Sequence, residues 1–312
     1  MRLPERLVHW PGGGIPGAFG GIMGANRDPF FIEASPYGNP FWRGAYPEYT
    51  FPNHAKAPPS SKDDRVYRAP NLKLANGLSS RRLDKRLNLL DAIDQQRRDL
   101  ERSARVRQYD RDQQSAVSML ADPKVRHAFD VTKADEKTQE RYGANSFGWS
   151  LLMAKRLVEA GVNLVQVNLG NNETWDTHDN AFPLLKDCLL PPTDRALSAL
   201  LDDLKESGLL DETLIVMCGE MGRTPKINKG GGRDHWTQVS CAYMAGGGMK
   251  GGQAIGSTNR LGEHAHTRPV DVKEIFATVY KNLGIDTRTA TIVDPSGRPQ
   301  YLTDMDPIAE VG

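Results

Sequence analysis

Two stretches of this chain repeat one order: an apolar stripe at helical spacing, then a glycine, then a short run suited to a strand. Phe147, Leu151, Ala154 and Val158 mark one helix face, and Gly161 sits where a helix-ending glycine belongs. Val165, Val167 and Leu169 then alternate with Gln166 and Asn168, the period of a strand. The order recurs with Leu197, Leu200, Leu201 and Leu204, closed by Gly208 and followed by the apolar run 213–218, which reads as a buried strand. Residues 239–245 are a further strand candidate. Val272, Ile275, Phe276, Val279 and Leu283 form a last helix, opened by the cap pair Asp271 and Glu274 and closed by Gly284. Helix–strand alternation of this kind predicts an α/β fold, a mostly parallel sheet with helices on both faces.

The remainder has a different texture. Residues 1–80 hold eleven prolines, from Pro4 to Pro70, with glycines and scattered aromatics. Proline fixes φ and removes a donor, so an irregular excursion packed on the body is expected there, with no central strand. Residues 81–312 form the body, helical over 81–145 and α/β over 146–312. Leu83, Leu87 and Leu90 place a helix within 79–120, with Ser80 as its cap. Its ten basic and seven acidic residues between 81 and 112 are interspersed, which suits a solvated face rather than a nucleic-acid surface.

Charge agrees. The chain of 312 residues has 40 Lys+Arg against 39 Asp+Glu, a net charge of +1, which argues against nucleic acid or an anionic membrane surface as the main partner. No run approaches the roughly 18 apolar residues of a membrane helix, and the start lacks the apolar stretch of a signal peptide. Cys188, Cys218 and Cys241 are odd in number and lack metal-type spacing, so neither a disulfide scaffold nor a zinc ribbon is expected.

In open α/β sheets ligands bind beyond strand ends. Three loops at such places carry ligand-type residues: Asp176 and His178 after the first strand run, Glu220 and Arg223 after the second, and Arg233, Asp234 and His235 before the third. Carboxylate and imidazole together suit Zn²⁺, Mn²⁺ or Fe. Asp176, His178, Glu220 and His235 are therefore expected to converge as metal ligands. Arg223 and Arg233 are candidates for an anionic substrate group, which a guanidinium binds bidentately. Taken singly, each has a plainer reading: a turn cap, a surface histidine, an Asp234–His235 pair inside a glycine-rich turn, or structural salt bridges. Their shared placement favours the site.

These motifs carry a resemblance. Trp175-Asp176-Thr177-His178, Gly219-Glu220-Met221-Gly222-Arg223-Thr224-Pro225 and Gly232-Arg233-Asp234-His235-Trp236 resemble the domain-of-unknown-function family 1501, which is sulfatase-like and belongs to the alkaline phosphatase superfamily. Arg268-Pro269-Val270-Asp271-Val272 and Leu283-Gly284-Ile285-Asp286 match it as well. The resemblance implies an alkaline-phosphatase-like α/β fold and a metal-dependent hydrolase of phosphate or sulfate esters. It also implies a divalent metal, zinc first with manganese as an alternative, a small anionic ester substrate, and an exported or periplasmic location. Glu220 and Met221 stand where the superfamily has an Asp-His metal pair.

Residues 1–60 contain nothing like the Trp-Gly-Gly…Asp motif with which such proteins open. The chain is thus expected to lack the first strand or strands and the nucleophile, to expose a sheet edge open to self-association, and to turn over esters poorly. The alternative is a non-catalytic binding or scaffold member, or an inactive truncated fragment.

Overall fold

In a computed structural model of the chain, the described residues are 42–52, 127–170, 173–294 and 296–312, with short pieces at 2–3, 8–9, 13–14, 19–24, 28–29, 81–82 and 85. The helix expected within 79–120 lies almost wholly outside them.

Helices form where the stripes place them. α1 (Glu136–Tyr142) is capped by Asp135, whose side chain accepts from the Thr138 amide. α2 (Ser146–Glu159) is capped by Asn145, which accepts from the amides of Phe147 and Gly148. α3 (Leu190–Glu206) continues out of a π-helical stretch, Leu184–Leu189. α4 (Val272–Asn282) has the full capping box between Asp271 and Glu274. Three of these helices end alike. Gly161, Gly208 and Gly284 take positive φ, and the next residue donates back into the last turn, Val162 to Leu157, Leu209 to Leu204 and Ile285 to Tyr280. This is the Schellman closure that a terminal glycine makes cheap.

The core lies between α2 and α3. Leu151, Leu152, Met153 and Leu157 meet Ala196, Ala199, Leu200 and Leu204, with Tyr142 of α1 closing one side. Asp203 is buried in this packing, where it accepts from the Tyr142 hydroxyl at 2.8 Å and pairs with Arg141 and Lys155. A buried carboxylate is tolerated because it is paired and hydrogen-bonded.

The strands correct the expected fold class. Among the described residues they make seven two-stranded pairs, and no mostly parallel, alkaline-phosphatase-like sheet is present. The one parallel pair joins β1 (Arg2–Leu3) to β6 (Gln166–Val167), two residues each. β2 (Val8–His9) pairs antiparallel with β3 (Gly13–Gly14), and β4 (Trp42–Ala45) and β5 (Tyr49–Pro52) make a small hairpin. The longest strands, β7 (Leu214–Cys218) and β10 (Ala242–Gly246), run antiparallel. The reason is the connection between them. A parallel partner needs a crossover, usually a helix, but residues 219–241 contain only turns and the short strands β8 (Gly222–Arg223) and β9 (His235–Trp236). The chain therefore turns back beside β7. Nor is β7 buried on both faces: Ile215 packs on the core, whereas Val216 and Met217 are each 37% exposed. Beyond β10 follow β11 (Ser257–Thr258) with β12 (Ala265–Thr267), and β13 (Thr291–Val293) with β14 (Pro299–Tyr301), both antiparallel. No helix among the described residues is long and apolar enough to cross a membrane.

Candidate metal centre

The loop after β6 is tightly determined. The Asp176 amide donates to the Glu173 carbonyl at 3.0 Å, closing a turn over 173–176. Trp175 stacks against Phe147 at 6.3 Å and donates its indole N–H to the Leu169 carbonyl. Arg43 of β4 reaches the same turn: its Nη1 donates to the Glu173 carbonyl at 3.0 Å and its Nη2 pairs with the Glu173 carboxylate. The Arg43 side chain is only 11% exposed, and its Nε is buried without a hydrogen-bond partner. Burial draws this guanidinium below its ordinary pKa, against the pull of the Glu173 and Asp176 charges.

A second wall comes from the β8–β9 ladder, in which Gly222 pairs with Trp236 and Arg223 with His235. Residues directly opposite across a ladder share a face, so Arg223 and His235 point the same way. Both reach Asp176: His235 Nε2 lies 3.0 Å from Asp176 Oδ1, and Arg223 Nη1 donates to the same oxygen. His178 Nε2 lies 3.1 Å from that oxygen too. The His178 and His235 rings are 4.9 Å apart between centroids.

Behind His178 stands Asp234. The plainer reading of an Asp234–His235 pair does not hold: Asp234 Oδ1 accepts a hydrogen bond from His178 Nδ1, 2.7 Å away. That bond holds the Asp234 carboxyl below the usual carboxylate range. Burial would raise Asp176, but hydrogen bonds from Arg223 and His235 and the Arg223 charge outweigh it, and its pKa is lowered.

Asn228 ties the loops together. Its Oδ1 accepts from the amides of Gly230 and Gly232, and its Nδ2 donates to the His178 carbonyl at 2.8 Å and to Asp234 Oδ1 at 3.2 Å. Glycine is required where the loops meet. A Cβ on Gly232 would stand 1.8 Å from the His178 carbonyl oxygen, and one on Gly222 1.6 Å from that of Val239.

Of the four ligands expected from sequence, three come together. Donor atoms of Asp176, His178 and His235 all lie within 4.8 Å of one another, the one such group among the described residues. Glu220 stands apart: its side chain is 70% exposed, and among the described residues it forms an ion pair with Arg223, at 3.6 Å. Arg223 lies at the cluster. Arg233 does not join it; its Nη1 donates to the carbonyls of Thr224 and Pro225, and its guanidinium lies over the Phe182 ring. Sequence reasoning missed Arg43 and Asn228. Asn228 had a local signal, an Asn two residues before glycines, the pattern of an Asx turn. Arg43 had none, since its partner is 130 positions away.

The residues fit a small divalent ion. Oxygen and nitrogen each about 2.0–2.1 Å from zinc stand roughly 3.3–3.4 Å apart in a tetrahedron, and the Asp176–His235 and Asp176–His178 separations are 3.0 and 3.1 Å. A carboxylate behind a ligand imidazole is the usual outer support of such a site.

Comparison with curated proteins gives no match, and comparison with solved structures gives none either. The family model for DUF1501, described as a protein of unknown function, matches residues 33–311. A match of that extent covers both the Arg43 hairpin and every loop of the centre, and the chain belongs to the DUF1501 family.

Proposed function

We propose that this protein is a metal-dependent hydrolase of phosphate or sulfate esters. The observation that carries the reading is the convergence of Asp176, His178 and His235 with Asp234 behind His178. Two imidazoles and one carboxylate suit zinc, with manganese or iron as alternatives, and three protein donors leave a coordination position for a substrate, the mark of catalytic rather than structural sites. A divalent ion held there would supply Lewis-acid polarisation of an ester oxygen. Asp176, His178 and His235 would hold it. Asp234 keeps the Nδ1 hydrogen of His178 and leaves Nε2 free to face the ion. Arg223, at the edge of the cluster, offers a guanidinium to the anionic group of the ester.

The test is metal content and turnover on the same preparation. The full chain is purified, and zinc, manganese and iron are measured by elemental analysis. It is then assayed on p-nitrophenyl phosphate, bis-p-nitrophenyl phosphate and p-nitrophenyl sulfate with Zn²⁺ or Mn²⁺ added. The expected result is divalent metal uptake with slow ester turnover, both lost in Asp176→Ala and His235→Ala. A chain that takes up no divalent metal overturns the reading. Metal uptake without turnover on any ester assigns the centre a binding role instead.

A further inference from the structure

The turn that aims Asp176 is not self-sufficient. Glu173 adopts φ 56, the left-handed region that a residue with a Cβ occupies only when its surroundings hold it there. Its carbonyl accepts two hydrogen bonds, one from the Asp176 amide and one from Arg43 Nη1, each at 3.0 Å. Arg43 grips the Glu173 carboxylate as well, so one planar guanidinium holds the main chain and the side chain of the same residue. Arg43 is held in turn. It lies on β4 of a hairpin whose Ala45 and Phe51 pack with Phe147, Leu189 and Trp175. The Tyr46 carbonyl of that hairpin accepts from the Ser146 amide at the start of α2, at 2.7 Å.

We propose that Arg43 is the positioning residue of the metal centre: it clamps Glu173 in its left-handed conformation and thereby fixes the turn that presents Asp176. The hairpin over 42–52 is then a component of the site. Glu173 neutralises the Arg43 charge locally, so the contribution is geometric. A lysine, which carries the charge on a single point, does not reproduce the fork. The metal arm of the inference rests on the function proposed above; the arm concerning the turn does not.

The experiment compares the full-length chain with Arg43→Lys, Arg43→Ala and Glu173→Gln. Amide hydrogen exchange is followed over peptides spanning 173–178, and Zn²⁺ affinity is measured against a competing chelator. Co²⁺ loading adds a visible spectrum that reports ligand geometry. We expect exchange across 173–178 to quicken about tenfold or more in both Arg43 variants while α2 and α3 keep wild-type protection. We expect Zn²⁺ affinity to fall roughly 10–100-fold, as for the loss of an outer-shell support, with altered Co²⁺ bands. Glu173→Gln, which keeps the carbonyl contact, should lie between wild type and Arg43→Ala. Wild-type exchange and metal affinity in Arg43→Lys would overturn the proposal, because charge alone would then suffice. Wild-type exchange over 173–178 in a folded Arg43→Ala would overturn it as well. Should Arg43→Ala not fold, Arg43→Lys and Glu173→Gln carry the test. Loss of exchange protection in a protein that binds no Zn²⁺ would leave Arg43 as the clamp and remove the metal reading alone.

Discussion

Arg223 and His235 face each other across a ladder only two residues long, and from that shared face both side chains reach Oδ1 of Asp176. The geometry makes the β8–β9 pairing the element on which the centre depends. Nothing in residues 219–241 is a long regular element, so side-chain bonds do what a sheet would otherwise do. Asn228 spans the turn, and glycines let the backbones close.

Removing the support behind His178 should weaken metal binding without unfolding the chain. Asp234 is exposed, and its bond to His178 orients a ring rather than filling a core. Asp234→Ala is expected to lower Zn²⁺ affinity by about 10–100-fold, with Asp234→Asn milder. Isothermal titration beside a thermal melt checks this; a parallel collapse of Tm would mean that Asp234 serves the fold instead.

Two glycine substitutions should separate backbone strain from steric exclusion. At Gly161 a Cβ meets nothing within 4 Å, so Gly161→Ala bears only the cost of its positive φ, roughly 1–2 kcal/mol. At Gly232 the new atom would collide with the His178 carbonyl, and the loop has to move. Denaturant titration should show a loss for Gly161→Ala with metal uptake kept, and for Gly232→Ala a loss of metal uptake.

The α2–α3 core should respond as a close-packed interior. Leu204 is 1% exposed and belongs to the central cluster. Leu204→Ala is expected to cost about 2–5 kcal/mol in urea unfolding, from lost transfer energy and the cavity left behind. A cost well under 1 kcal/mol would show that the site collapses freely or is loosely packed.

Acid sensitivity should be traceable to Asp294. Bonds from the Ser296 hydroxyl and amide, the Arg298 amide and Gln300 hold its carboxyl down to about 2. An unfolded Asp titrates at about 3.9. A group depressed on folding adds stability above its unfolded pKa and loses it as pH falls through the folded value. Asp294→Ala should therefore be less stable than wild type near neutral pH, with the gap closing between about pH 4 and pH 2. A gap that is constant across that range would show that the carboxylate charge is not involved.

Much of the local structure is written in short stretches of sequence. Gly161, Gly208 and Gly284 end helices because only the residue itself must tolerate a left-handed backbone, and Asp271 with Glu274 caps α4 through groups three positions apart. The clustering of Asp176, His178 and His235 was legible in part, since they are ligand types on loops beside apolar runs. Sheet topology was not. The run 213–218 reads the same whether its partner is parallel or antiparallel, and the return of residues 242–246 beside it depends on how the intervening loops pack. The separation of Glu220 from the cluster is a matter of direction: the short ladder turns Arg223 inward and leaves Glu220 in solvent. Arg43 is the clearest case of what tertiary structure alone decided. Sequence determines that it carries a charge and a planar fork; the fold decides that a carbonyl and a carboxylate 130 positions away occupy both prongs. Propensity and capping act within a few residues, whereas a contact across the chain exists only once packing has closed the loop between its ends.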